Sequence, residues 1–185
     1  GTTHTAKNVG KIVLGKADGT TTHESLIAMF AQAEAGKNAN VKNAKDININ
    51  TKKSVGMYAK NDLSNTIADV DLENTGDINI NSKESAGIYA IDNSYVTNNA
   101  NITTQDEKSA GIYVKLTEDN ATVEGKNEGT NAVITTTAEQ SAGMLGLLDG
   151  AITGSTSKLT LTNSGNVNVN SKESAGMMVT NNSNI

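Results

Sequence analysis

The sequence predicts an all-β solenoid, a right-handed parallel β-helix of about five to six rungs, with one amphipathic α-helix inserted near the N-terminus. Three observations carry this. First, Asp77-Ile-Asn-Ile-Asn-Ser-Lys-Glu-Ser-Ala-Gly-Ile-Tyr-Ala90 recurs as Asn166-Val-Asn-Val-Asn-Ser-Lys-Glu-Ser-Ala-Gly-Met-Met-Val179, with looser copies over Asp46–Ala59, Asn101–Val114 and Val133–Gly146. Second, the glycines on which the copies align are Gly56, Gly87, Gly111, Gly143 and Gly176. Their separations are 31, 24, 32 and 33 residues (87−56, 111−87, 143−111, 176−143), a period near thirty with variable loops. Third, apolar and polar residues alternate inside each copy, which is the period of a strand and not of a helix. Such short strands cannot bury an apolar face alone. Stacked unit upon unit they enclose a continuous core, and parallel connections are overwhelmingly right-handed.

Residues 1–45 depart from the repeat and predict an atypical first rung. Asn8-Val-Gly-Lys-Ile-Val-Leu14 resembles the second strand of a copy, with Gly10 in the glycine position; Val9 and Val13 then match Val55 and Ala59, although Lys11 stands where Met57 does. Thr21-Thr-His-Glu24 has the form of a capping box. Behind it Leu26, Met29, Phe30 and Ala33 lie on one helical face and Gly36 is a stop signal. A helix is therefore expected over about residues 22–35, covering the side or open end of the rungs, where backbone groups lack partners.

Residues 46–185 carry the repeats, and 1–185 reads as a single β-helix segment of a longer protein. In the copy at Asp77 the first strand places Ile78 and Ile80 inward, with Asp77, Asn79 and Asn81 between them. Ser82-Lys83-Glu84-Ser85 is polar and reads as a corner. In the second strand Ala86, Ile88 and Ala90 share the core face, and Ser85, Gly87 and Tyr89 the opposite one. A weaker third strand holds Val41, Val70 and Leu72, Val96, Val123, or Leu159 and Leu161. It ends in turn signals such as Asn74-Thr75-Gly76 and Asn163-Ser164-Gly165. Extra length falls between second and third strands, at Lys60–Ala68, Lys115–Asn120 and Leu147–Ser157. Loops gathered at one corner are where a solenoid usually carries specificity.

Composition excludes several classes of function. The net charge is -5, and all 15 basic residues are Lys, with no Arg to grip phosphate bidentately. No basic cluster points to nucleic acid or an anionic membrane surface. With no Cys there is no disulfide framework, thiolate metal site or Cys nucleophile. No segment approaches the ~18 apolar residues of a membrane-spanning helix.

Chemistry-bearing constellations are few. His4 and His23 are the only imidazoles, and neither G-x-S-x-G nor H-E-x-x-H occurs. No catalytic residue, metal ligand or cofactor is expected. Asp and Glu are frequent enough for a glycosidase pair, yet none recurs or stands apart. The outward position of the second strand reads Tyr58, Tyr89, Tyr113, Leu145, Met178, a vertical stripe. It is either a packing ladder or a contact surface for a sugar or partner protein, and Tyr58, Tyr89 and Tyr113 are the candidate binding residues. Asn48, Asn79, Asn168 and Asn50, Asn81, Asn170 face outward on the first strand and can form amide ladders.

The repeated Gly-Asp-Ile-Asn-Ile-Asn and Lys-Glu-Ser-Ala-Gly-Ile-Tyr-Ala resemble the passenger repeats of very large Gram-negative type V autotransporter adhesins, over roughly residues 40–185. The resemblance implies a β-helical stalk exported to the bacterial cell surface and joined to the outer membrane through a C-terminal barrel that lies outside this chain. It implies attachment to a host or bacterial surface protein or glycan. Two other functions compete: a β-helix polysaccharide lyase or hydrolase, and a structural spacer with no partner of its own.

Overall fold

The computed structural model describes residues 2–18, 20, 23–34, 36–61, 69–149, 152–153 and 156–181. Its strands come in threes, one set per rung. The first rung is β1 (Thr3–Asn8), β2 (Ile12–Leu14) and β3 (Ile27–Ala33). The second is β4 (Asn38–Asn43), β5 (Ile47–Ile49) and β6 (Val55–Asn61). The third is β7 (Val70–Asn74), β8 (Ile78–Ile80) and β9 (Ala86–Ile91). The fourth is β10 (Ser94–Asn98), β11 (Ile102–Thr104) and β12 (Ala110–Leu116). The fifth is β13 (Thr122–Asn127), β14 (Val133–Thr136) and β15 (Ala142–Leu148). The sixth is β16 (Lys158–Asn163), β17 (Asn166–Val169) and β18 (Ala175–Thr180). Each strand pairs in parallel with its counterparts in the neighbouring rungs, so the rungs build three six-stranded sheets. We call them by their first strands: the β1 sheet, the β2 sheet and the β3 sheet.

The core is the column of side chains that these sheets enclose. Ile47, Ile78, Ile102 and Ile134 stack on the β2 sheet, and Met57, Ile88, Ile112 and Met144 on the β3 sheet, all fully buried. Val41, Leu72 and Val96 complete the enclosure from the β1 sheet. Among the described residues, the exposed large hydrophobic side chains all lie in the first and last rungs: Val9, Val13, Ile27, Phe30, Val169, Met177 and Val179.

The expected helix over residues 22–35 is not there; its centre is β3, a strand of the first rung. Ile27 pairs with Val55, Met29 with Met57, Phe30 with Tyr58 and Ala31 with Ala59, so Leu26–Ala33 is a sixth copy of the second strand. Ala31 and Ala33 point inward and Phe30 and Gln32 outward. The neighbouring rung supplies main-chain partners along the whole segment: Val55 N–H donates to Leu26 O (2.8 Å) and Leu26 N–H to Ser54 Oγ (3.0 Å). Tertiary pairing thus overrides the helical spacing of Leu26, Met29, Phe30 and Ala33. Of the capping-box residues, 21 and 22 lie outside the described residues; His23 and Glu24 are exposed loop.

A second correction follows. Asn8–Leu14 is not a second strand and Gly10 does not hold the glycine position. Asn8 ends β1, and Ile12, Val13 and Leu14 pair with Ile47, Asn48 and Ile49 in the β2 sheet. Lys11, exposed just before β2, never faces the core.

A third concerns the faces of the second strand. Alternation slips by one residue at the glycine. A Cβ on Gly87 would point into the core, 3.0 Å from Ile102 Cγ2 and 3.4 Å from Ile78 Cγ2. Ala86 therefore lies on the outer side, where Ala110 and Ala142 cluster with Leu145, Tyr113 and Met178 apart from the main core. The same Cβ would sit 2.7 Å from Gly111 O in the next rung. At Gly87 a side chain would block this approach.

Candidate functional site

Three columns lock rung to rung, none of them foreseen from the sequence: two of like side chains and one of backbone. Asn8, Asn43, Asn74, Asn98, Asn127 and Asn163 stand above one another where the third strand ends. Each Nδ2 donates to the next Oδ1, at 2.8, 2.8, 2.7, 2.8 and 2.8 Å. The four middle residues are fully buried. A second column is serine: the backbone N–H groups of Ser54, Ser85, Ser109 and Ser141 donate to the hydroxyls of Ser85, Ser109, Ser141 and Ser174 at 3.1–3.4 Å. Ser82 and Ser85 are thus buried parts of the corner, while Lys83 and Glu84 are its wetted parts. The third column is backbone. Ser25, Lys53, Glu84, Lys108, Gln140 and Glu173 hold φ of 62, 54, 56, 56, 55 and 51°, one left-handed residue per rung at the same corner. Ser25 falling in this series confirms the place of the first rung.

The candidate residues Tyr58, Tyr89 and Tyr113 are brought together, and Phe30 tops them. Ring centroids are 5.4 Å apart for Phe30–Tyr58, 5.3 Å for Tyr58–Tyr89 and 4.5 Å for Tyr89–Tyr113, with planes inclined by 25°, 25° and 9°. Leu145 and Met178 continue the column. The rings face one another, so Tyr58 and Tyr89 are covered on both faces, while Phe30 is exposed at the end of the stack. Burial raises the pKa of Tyr58, Tyr89 and Tyr113, most for Tyr89.

Beside the stack runs a groove of about 270 Å³. Val55, Ala86 and Ala110 form its floor, Tyr89, Tyr113 and Leu145 one wall, and Lys53, Glu84 and Lys108 the rim. The floor exists because the slip at the glycine turns small side chains outward. The outward asparagines of the first strand pair as foreseen: Asn79 Nδ2 donates to Asn48 Oδ1 (3.1 Å) and Asn81 Nδ2 to Asn50 Oδ1 (2.8 Å). His4 is an exposed residue of β1, and His23 sits in the loop before β3, where its carbonyl accepts from the Thr51 hydroxyl. Among the described residues no three His, Cys, Asp or Glu side chains are placed to hold a metal ion, and no helix is long and apolar enough to cross a membrane.

The loops at the corner between second and third strands hold one another from rung to rung. Asp92 accepts from the Thr117 N–H and hydroxyl (2.8 and 2.5 Å), and Asp119 from the Thr153 N–H (2.8 Å). The expected loop Lys60–Ala68 lies beyond the described residues after Asn61.

Residues 63–185, more than half of the chain, match the family model described as the BigA third pectate lyase-like domain. Comparison with curated proteins and with solved structures returned no match.

Proposed function

The chain belongs to the family of the BigA third pectate lyase-like domain, and from that premise we propose that it is a non-catalytic segment of an exported bacterial surface protein. In this reading it is a rigid stalk whose outer columns and corner loops attach to a host or bacterial surface protein or glycan. BigA is a bacterial surface adhesin-like protein, which supports an adhesive setting. The observation that carries the reading is the use made of the repeat's shared letters. Its Asn, Ser and Gly positions and its apolar positions join rung to rung, so what recurs is scaffold. The outward Tyr column, its groove and the corner loops remain for contact. Tyr58, Tyr89 and Tyr113 offer ring edges beside Lys53, Glu84 and Lys108, a mixed apolar and charged ridge of the kind that protein and glycan partners engage. Anchoring through a C-terminal outer-membrane barrel, as in type V autotransporters, belongs to the same proposal.

The test is attachment of beads coated with residues 1–185 to host and bacterial cells, with uncoated beads and a Tyr89→Ser/Tyr113→Ser double variant of verified fold beside them. Attachment above background that falls with the double variant supports the reading. No attachment makes the segment a spacer. A second reading is favoured by the family's description alone: release of unsaturated sugars from polygalacturonate by the same protein would replace attachment with lyase chemistry.

A further inference from the structure

The outer face of the β1 sheet carries a second arrangement, separate from the tyrosine stack. Register places Asn40, Asp71, Tyr95, Glu124 and Thr160 in one outward column and Lys42, Glu73, Thr97, Lys126 and Thr162 in the next. Asn40, Lys42, Asp71, Glu73, Tyr95 and Thr97 line a groove of about 250 Å³. Tyr95 is half-buried, and among the described residues no aromatic ring stacks on it. This is the reverse of Tyr58 and Tyr89, whose faces are covered by their neighbours.

We propose that this groove binds a neutral pyranose oligosaccharide, with Tyr95 against the apolar face of a sugar ring and Asp71 and Glu124, one rung to either side, accepting from its hydroxyl groups. A half-buried aromatic ring flanked by acceptors is the chemistry that a saccharide presents in mirror image: C–H groups on one face and O–H groups around the rim. At the groove Lys42 Nζ lies 2.7 Å from Glu73 Oε2, and beyond it Lys126 Nζ lies 2.9 Å from Glu124 Oε2, both pairs at the surface. The charge of the groove itself selects among sugars. Asp71 and Glu73 outnumber Lys42 among its lining residues, so uronate and sulfated chains are disfavoured there.

This inference rests on the attachment reading and adds a ligand class and a site to it. It is tested by calorimetric titration of the 1–185 protein with a neutral gluco-oligosaccharide, with oligogalacturonate and oligolysine as counter-probes. The neutral oligosaccharide is expected to bind. Tyr95→Ala should weaken it about tenfold or more, the loss of one stacked ring, and Asp71→Asn, an isosteric change at an exposed position, severalfold. Asn79→Ala, on the β2 sheet, should leave the affinity unchanged. Neutral binding that survives both Tyr95→Ala and Asp71→Asn overturns the site. Binding of oligolysine or oligogalacturonate alone overturns the ligand class. If coated beads still attach to cells while every neutral saccharide fails, this inference falls and the attachment reading stands.

Discussion

Tyr89 and Tyr113 lie face to face across adjacent rungs, with centroids 4.5 Å apart and planes 9° from parallel. The contact is the tightest of a four-ring stack, and it makes the stripe a structural element as well as a surface. Burial keeps the Tyr89 phenol protonated to higher pH than an exposed one, with the neighbouring tyrosines adding to the effect. A folded-state pKa above the unfolded value, near 10 for tyrosine, contributes stability that is complete below about pH 10 and lost as pH rises through the folded value. The melting temperature should therefore hold steady to about pH 9 and fall above about pH 10. Tyr89→Phe should flatten that fall, as followed by circular dichroism across the alkaline range. An unchanged slope would show that the phenol is hydrated.

Gly87→Ala should destabilise by about 2 kcal/mol or more, because the new methyl would lie 2.7 Å from the Gly111 carbonyl oxygen and 3.0 Å from Ile102. Backbone stands in the way on one side and a packed core on the other. Urea unfolding reads the loss. A neutral outcome would mean that the rungs can part locally.

Much of this architecture is legible in the letters, because a β-solenoid writes its repeat into the sequence. Alternation in Asp77–Asn81, the corner at Ser82–Ser85 and the outward Tyr58, Tyr89 and Tyr113 are all read from period and position. Three features are not, each for a physical reason. β3 carries Ala28 where other rungs carry glycine, so a glycine-anchored alignment passes over it, and Leu26-Ile27-Ala28-Met29-Phe30 lacks the polar alternation that marks a strand. Asn74 looks like part of a turn signal; its burial makes sense only once Asn43 and Asn98 stand above and below it. The slip at Gly87 moves Ala86 to the outer face beside Tyr89, which a strict period of two cannot anticipate. The candidate site inherits this pattern. The Tyr column is visible in sequence, but its groove, its end at Phe30 and the pairing on the β1 sheet depend on register between rungs.

Thr104 and Thr136 are fully buried, and their hydroxyls have no hydrogen-bond partner. They occupy the core-facing position that Ile49 and Ile80 hold in earlier rungs. Thr104→Val keeps the shape and removes the desolvated hydroxyl, so it should stabilise by about 1 kcal/mol. A higher urea midpoint at unchanged slope is the expected readout. Destabilisation would show that the hydroxyl has found an acceptor.

Glu84 sits at φ 56°. A β-branched side chain tolerates that conformation poorly and a short amide well. Glu84→Val should cost about 1–2 kcal/mol, while Glu84→Asn should be neutral or slightly stabilising. Thermal melts of the two variants side by side check the order; the reverse order would contradict the left-handed corner.

The central claim is that the recurring side chains join rung to rung, leaving the outer face for contact. Asn74 tests it most directly. Asn74→Ala strips the buried Asn43 amide of its acceptor and the buried Asn98 carbonyl of its donor. Two orphaned groups at 1–3 kcal/mol each predict a loss of about 3 kcal/mol or more. Asn79→Ala removes only a half-exposed rung-to-rung bond and should cost less than about 1 kcal/mol. Chemical denaturation of both variants decides: a loss several times larger for Asn74→Ala is the predicted result, and equal losses would contradict the account.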